Sequence, residues 1–268
     1  MTQAIRPVKR SIAFQGLILF LKALPVALLV VAARYLFHNV FGFSEIMSFS
    51  DAAAVLTGAA LIIGFMLAGV IADYKEAEKM PASIGGALLM LDQLAASGLA
   101  LQGKDSGWVR ARLAAVAIRI DDWFFGRVPD DSLGAVQNEV FSVIVDVEKE
   151  GCSAPYVTQL LNRANELAGA LQRVMVIRNS SFIRAGYALM TILVTIVLVL
   201  LVIVDFPSEF AQWLVCGALA LVYTDLLLLV RDLDNPFGYA AHGGRGSGAD
   251  VDPSALTSAV RMLNSSTG

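Results

Sequence analysis

The stretch of sequence that decides the fold is AAAVLTGAALIIGFMLAGVIA, which occupies residues 52–72 and carries no charged side chain. Asp51 precedes it and Asp73 follows it. About 20 helical residues suffice to cross a hydrocarbon core roughly 30 Å thick, so this stretch predicts a membrane-spanning helix.

Three further stretches have the same character, over about 12–33, 187–204 and 211–230. The composition of the 268-residue chain agrees, because 57% of its residues are hydrophobic and 16% are charged, with a mean hydropathy of +0.67. A soluble domain needs more polar side chains to cover its surface. We therefore predict an all-α membrane protein with four transmembrane helices. The net charge of −3 offers no basic field, so no nucleic-acid partner is expected.

The first span also has the layout of a signal peptide, because Arg6, Lys9 and Arg10 precede it and residues 31–33 resemble a cleavage site. Lys22 interrupts the apolar run, so a retained signal-anchor helix is favoured.

Basic residues near the span ends set the expected orientation. They are concentrated before the first span, after the second, before the third and at the end of the fourth. The loop between the first two spans offers only Arg34, and the loop between the last two offers none. Both termini and the middle segment are therefore expected to be cytoplasmic.

The spans divide the chain into four parts, namely 1–73, 74–183, 184–237 and 238–268. Apolar residues at helical spacing predict a helical cytoplasmic region between the second and third spans. Its helices are expected over 83–101, from Asp105 or Ser106 to near Gly126, from Asp131 or Ser132 to Gly151, and from Ser153 onward into the third span.

The last part of the chain is expected to be a flexible tail that ends in a short helix. Residues 238–250 are rich in glycine, which predicts a linker. Asp252-Pro253 predicts a helix start, after which Leu256, Val260 and Leu263 share one face. A helix this short is marginal alone, so we expect it to dock.

Chemistry-bearing residues are sparse. Cys152 and Cys216 have neither a CxxC spacing nor a histidine neighbour, which predicts two buried thiols and no metal site. The two histidines, His38 and His242, are expected on opposite sides of the membrane and cannot cooperate. No catalytic residue, cofactor or enzymatic activity is therefore expected.

Two motifs carry a family resemblance. The stretch Ile63-Gly-Phe-Met-Leu-Ala-Gly-Val-Ile-Ala-Asp-Tyr74 looks like the pore-lining helix of bestrophins. After the fourth span, the motif residues Asp232, Asp234, Asn235, Pro236, Phe237 and Gly238 resemble the bestrophin superfamily, and more closely its bacterial bestrophin-like domain family of unknown function. The span order and the helical insert are similar as well.

The resemblance implies an oligomeric ion channel in a bacterial inner membrane. It would conduct small inorganic ions passively through a central pore lined by the second transmembrane helix, with anions such as chloride slightly favoured. The partners implied are the lipid bilayer and further copies of the chain, of which a pentamer is one form. The acidic run that follows Pro-Phe-Gly in calcium-controlled bestrophins is replaced here by Tyr239-Ala-Ala-His242, so calcium control at that place is not expected.

Spacing by four places Thr57, Leu61 and Phe65 on one face of the second helix. In a ring of subunits this row forms a pore neck with an apolar constriction, which gates ions by dewetting. The alternative is that these side chains line no pore and face lipid or the protein core. Small residues on a second face (Ala60, Gly64, Ala68 and Ala72) permit close helix packing.

Two ionisable residues lie within the spans. At 1.5 Å per residue, Lys22 and Asp225 are roughly 15 and 9 Å from the inner face, and their side chains tilt toward each other. An intramembrane charge pair is therefore predicted, because a lone charge in lipid costs about 2.5–3.5 kcal/mol. The alternatives are a Lys22 that faces the pore and attracts anions, or one that snorkels.

Two other functions remain open at this point. One is a membrane-anchored scaffold whose cytoplasmic helices bind partners without conduction. The other is a cation-selective channel of the same architecture.

Overall fold

The computed structural model describes residues 12–43, 46–179, 184–206, 208–234, 236–240 and 250–265. Over these residues the chain is almost wholly helical, which confirms the all-α prediction. The helices are α1 (Ile12–Tyr35), α2 (Phe49–Ala77), α3 (Met80–Ala100), α4 (Gly107–Phe124), α5 (Ser132–Lys149), α6 (Ala154–Asn179), α7 (Arg184–Ile203), α8 (Glu209–Leu233) and α9 (Ser254–Ser265). A π-helical turn, Leu36–Val40, continues α1.

Four helices in the described part of the chain are long and apolar enough to cross a membrane, namely α1, α2, α7 and α8. The predicted four-span architecture is confirmed. The helix α2 begins before residue 52 because Ser48 caps it, accepting a hydrogen bond from the Asp51 N–H at 3.4 Å and donating to Asp51 Oδ2 at 2.6 Å. It also continues past Asp73 to Ala77, since helical geometry does not end where hydropathy falls.

One short strand pair departs from the sequence expectation. The strands β1 (Met47–Ser48) and β2 (Val204–Asp205) pair in parallel, with Ser48 opposite Asp205. Each strand has two residues, too few to show an alternating pattern. The pair joins the segment before α2 to the end of α7.

The chain divides into two compact units, each with its own apolar core. We call residues 12–43, 46–73, 184–206 and 208–234 the membrane-spanning unit. In it α1, α7 and α8 pack against one another. The Tyr223 hydroxyl of α8 donates to Leu56 O of α2 at 2.6 Å. Only one side of α2 is buried, through residues such as Ala52, Leu56 and Ile63.

The second unit, called the helical unit, comprises residues 74–179, 236–240 and 250–265. In it α3 packs against α6, and α4 and α6 both pack against α5. The helix ends predicted at Gly103, Gly126 and Gly151 are found, each glycine having a positive φ of 66–86°. The residue after each glycine donates to a carbonyl five residues back, as Arg127 N does to Asp122 O at 2.8 Å.

The predicted helix starts are only partly right. At α4 the Asp105 carboxylate accepts a hydrogen bond from the Gly107 N–H at 3.1 Å, whereas Ser106 makes no side-chain cap. At α5 Asp131 makes none either. The neighbouring carboxylate of Asp130 binds a different group, because it accepts a hydrogen bond from Trp123 Nε1 of α4 at 2.7 Å. Of the predicted caps at these two helices, only the Asp105 carboxylate therefore binds a backbone N–H of its helix.

The expected linker does not begin at Gly238. Phe237 and Tyr239 are buried in the core of the helical unit, where Tyr239 packs on Phe125 with ring centroids 5.0 Å apart. The Tyr239 hydroxyl donates to Val251 O, and the Gly238 N–H donates to Asp250 Oδ1 at 3.2 Å. Residues 241–249 of the predicted linker lie outside the described residues.

The last helix, α9, packs on α3 and α4. Leu256, Ala259 and Leu263 are buried there, and Val260 is half-buried. The approach to α3 is close, because a Cβ placed on Gly85 would lie 3.0 Å from Ala255 O.

Two glycines of α3 give a matched prediction about packing. A Cβ on Gly98 would lie 2.4 Å from Cys152 Sγ, so Gly98→Ala is expected to destabilise the protein by about 1–3 kcal/mol. A Cβ on Gly86 has nothing within 4 Å, so Gly86→Ala is expected to stabilise it by about 0.5–1 kcal/mol. Thermal unfolding in detergent measures both. Equal stability of the two variants would contradict the close approach, and adding Cys152→Ala to Gly98→Ala should restore part of the loss.

Candidate functional site

The predicted row on α2 lies on the exposed side of that helix. In the single chain Leu61 is 60% exposed and Phe65 is 71% exposed, and Thr57 is exposed on the same side. The opposite side carries the buried residues Ala59 and Ile63. Within one chain the row is therefore uncovered, and its apolar side chains are available to a shared axis, a second chain or lipid.

The small residues of α2 are exposed as well. Ala60, Gly64, Ala68 and Ala72 are all accessible in the single chain. A Cβ placed on Gly64 would have nothing within 4 Å. This side of α2 is smooth enough for another helix to approach closely.

The predicted pair of Lys22 and Asp225 is level in depth but is not joined. A Cβ on Gly217 of α8 would lie 3.6 Å from Val31 of α1. Counting nine residues from that contact along each antiparallel helix reaches Lys22 and Leu226, next to Asp225. Lys22 is nevertheless exposed, beside the buried Ala23 but about 100° around the helix from it. No ion pair of 4.0 Å or less links the two charges in the described chain, and Asp225 Oδ1 is buried without a hydrogen-bond partner.

A buried arginine caps the end of α7. Arg34 has no exposed surface, and its Nη1 donates to Leu201 O at 2.7 Å and to Val202 O at 3.4 Å. Its guanidinium also lies 4.8 Å from the ring centroid of Phe206. The last carbonyls of a helix lack partners within the helix and carry partial negative charge, so a cation there satisfies and stabilises them.

A histidine lies beside this arginine. His38, in the π-helical turn, has Nε2 3.0 Å from Val202 O and Nδ1 3.5 Å from Asp205 Oδ1. From the sequence, Arg34 is expected in the loop between the first two spans, and no contact is predicted for it or for His38. Arg34 follows the first predicted span and Asp205 follows the third, but the sequence alone does not show that these two ends meet.

The charged end of α2 is a solvated surface, and an ion pair joins it to α6. Arg173 of α6 donates two hydrogen bonds to the Glu76 carboxylate, the first from Nε at 2.6 Å. These hydrogen bonds lower the pKa of Glu76. Lys75 and Glu78 lie 4.0 Å apart at the surface, so this end of α2 carries charges of both signs.

A half-buried arginine has a similar role inside the helical unit. Arg178 of α6 donates to Phe124 O at 2.8 Å and lies over the Trp123 ring at 4.7 Å, so it caps α4 as Arg34 caps α7. Burial lowers the pKa of Arg178, and burial raises the pKa of Asp121 one turn earlier in α4. Both shifts follow from the cost of holding a charge away from water.

The motif residues at the end of α8 and directly after it fall in both units. Asp232 is exposed and Asp234 is half-buried in the membrane-spanning unit, whereas Pro236, Phe237 and Gly238 are buried in the helical unit. The Phe237 ring meets Phe124 edge-on at 5.4 Å. Asn235 lies outside the described residues. The last residues of the motif are therefore packed in the core of the helical unit.

Within the described residues, no group of three or more His, Cys, Asp or Glu side chains is placed to hold a metal ion. Cys152 and Cys216 are both buried free thiols, as predicted.

Similarity to known proteins is found at the level of solved structures. No protein-family model matches the sequence, and no curated protein matches it. Among solved structures, a bacterial bestrophin homologue from Klebsiella pneumoniae is similar, with a TM-score of 0.71 and 14% identity over 94% of this chain and 98% of that chain. A variant of that homologue gives a TM-score of 0.69 and 14% identity over 97% of this chain and 100% of that chain.

The described chain has four candidate membrane spans and a helical region between the second and third of them. The chain has a bestrophin-like fold over nearly its whole length, as the two motifs predicted.

Proposed function

We propose that the protein is an oligomeric ion channel that conducts passively through a central pore lined by α2, with anions such as chloride slightly favoured. The observation that carries this proposal is the bestrophin-like fold over 94% of the chain, in which α2 leaves an apolar row uncovered. The protein is not proposed to be an enzyme.

In this proposal Thr57, Leu61 and Phe65 form the pore neck. Copies of α2 arranged around an axis would stack Leu61 and Phe65 as two apolar girdles one helical turn apart. An ion that crosses them loses hydration without gaining a polar partner, so the girdles hold the pore closed until they widen.

The assembly is a homo-oligomer, with a pentamer as one form, in the inner membrane of a bacterium. The exposed row and the small residues of α2 support this assembly, because a second copy can cover both. The membrane-anchored scaffold and the cation-selective channel stand as alternative outcomes of the test below.

Ion flux from liposomes tests the proposal. The purified protein, with its assembly size measured in detergent, is reconstituted into vesicles loaded with KCl, and chloride and potassium release are recorded separately. Release above protein-free vesicles, with chloride somewhat faster, is the expected result. Faster potassium release would favour the cation channel. An intact oligomer that releases neither ion would contradict conduction and favour the scaffold.

Orientation gives a separate prediction. Basic residues flank the N-terminal, middle and C-terminal segments, so a reporter fused after Gly268 should lie in the cytoplasm. A reporter inserted after Gly42, in the exposed loop before β1, should lie on the opposite side. A periplasmic signal from the Gly268 fusion would overturn this orientation.

A further inference from the structure

Lys22 is an exposed cation on an apolar surface of α1. The two residues before it, Phe20 and Leu21, are 42% and 54% exposed, and two turns further along Leu28 and Leu29 are 60% and 69% exposed. Lys22 itself is exposed on this surface. Among the described residues, no carboxylate lies within 4.0 Å of its ammonium. The described chain therefore offers this cation no counter-charge, and hydrocarbon cannot solvate it.

The depth of Lys22 directs its ammonium toward one face of the membrane. Lys22 is level with Leu226 of the antiparallel helix α8. The charged residues that end α8 begin at Arg231, which lies five residues further, or roughly 7.5 Å along the helix. The Lys22 side chain tilts in the same direction, toward the N-terminal end of α1. Its four-carbon stem can lie along the apolar surface while the ammonium extends to the lipid headgroups beside the N-terminal segment.

The charge of the segment before α1 favours an anionic partner. Arg6, Lys9 and Arg10 precede the helix, and residues 1–44 contain no Asp or Glu. Basic residues next to a spanning helix attract lipids whose headgroups carry a net negative charge. The phosphate of a zwitterionic lipid is offset by the cation of its own headgroup, so it attracts a lysine less. Charge therefore singles out the anionic phospholipids of that leaflet.

We propose that Lys22 is the phosphate ligand of a binding site for an anionic phospholipid, in the leaflet that adjoins the N-terminal segment. The ammonium binds the phosphate oxygens as a charge-assisted hydrogen-bond donor. The acyl chains run toward the middle of the membrane along the surface that carries Leu28 and Leu29. The basic residues before α1 add attraction for the same headgroup. The site does not depend on whether the protein conducts ions.

Binding of phosphatidylglycerol to the full-length protein tests the site. Native mass spectrometry of the protein in detergent measures how much of this lipid is retained, and zwitterionic phosphatidylcholine is the reference. Lys22→Met keeps an unbranched side chain but removes the charge, so it should bind phosphatidylglycerol about fivefold more weakly and phosphatidylcholine as before. Lys22→Arg should keep the wild-type preference. High salt should reduce that preference in the wild type, because it screens the charge.

Lys75 supplies the matched control. It is also an exposed lysine, but it lies in the last turn of α2, 4.0 Å from the Glu78 carboxylate. Lys75→Met makes the same exchange of side chains and should keep the wild-type preference for phosphatidylglycerol. Equal binding of this lipid by Lys22→Met and Lys75→Met would overturn the proposed site. If Lys22→Met cannot be purified, Lys22→Gln and Lys75→Gln are compared in the same way.

Other partners of Lys22 would give different results. If Lys22 faces a pore, Lys22→Met changes the ratio of chloride to potassium release from liposomes and leaves lipid binding unchanged. If Lys22 lies at a contact between two copies of the chain, the substitution changes the assembly size in detergent, again with unchanged lipid binding. Either result would refute the lipid site. Wild-type protein that releases neither ion but loses its lipid preference in Lys22→Met would refute the channel and support the lipid site.

Discussion

Shortening Leu61 and Phe65 together to alanine is expected to raise basal ion flux through the reconstituted protein by on the order of tenfold, equivalent to a barrier lower by about 1.4 kcal/mol. The two side chains are 60% and 71% exposed in the single chain, so their truncation leaves little empty space inside it. If they form the neck, truncation widens the passage and lets water remain there. Chloride release from liposomes measures the change.

The neighbouring pair on α2 provides the control. Ile62 and Met66 lie one residue along, about 100° around the helix, where Ile62 is 43% exposed and Met66 is half-buried. Ile62→Ala with Met66→Ala should lower thermal stability and should change chloride flux little. Equal flux in the two double variants, with assembly size unchanged, would mean that Leu61 and Phe65 are not the neck.

The features that sequence predicted well depend on local composition. A run of apolar residues long enough to cross a bilayer forms a helix wherever it packs, because a lipid environment requires its backbone groups to be satisfied internally. The glycines at 103, 126 and 151 likewise end helices for a local reason, since each adopts a positive φ that other residues disfavour. Both kinds of signal are contained within a few turns of chain.

The features that sequence missed depend on distant segments. Arg34 and Leu201 are 167 residues apart, and no local pattern shows that their helix ends meet. For Lys22 and Asp225, residue counting gave the common depth, but the rotation of each helix is set by the buried faces of its neighbours. The burial of Tyr239 was not predicted because this residue lies in a glycine-rich stretch, although an aromatic side chain is unusual in a flexible linker. The exposure of the α2 row follows the predicted helical spacing.

The second large effect is expected at Arg34. Arg34→Met retains much of the side-chain volume but removes the donor to Leu201 O, so that carbonyl at the end of α7 loses a charged partner. The loss of a hydrogen bond to a charged group, about 1.5–3 kcal/mol, is expected in thermal or denaturant unfolding in detergent. Arg34→Lys should recover only part, because an ammonium keeps the charge but lacks the planar guanidinium that lies over the Phe206 ring.

Arg231 is the matched control for this change, because it also lies at the end of a spanning helix but is exposed, where it donates to Thr191 Oγ1 at 2.9 Å. Arg231→Met should therefore alter stability by less than about 0.5 kcal/mol, as surface substitutions do. The contrast isolates the role of burial, since both variants exchange the same side chains. Equal stability of the Arg34→Met and Arg231→Met proteins would show that the carbonyls at the end of α7 do not need the buried cation.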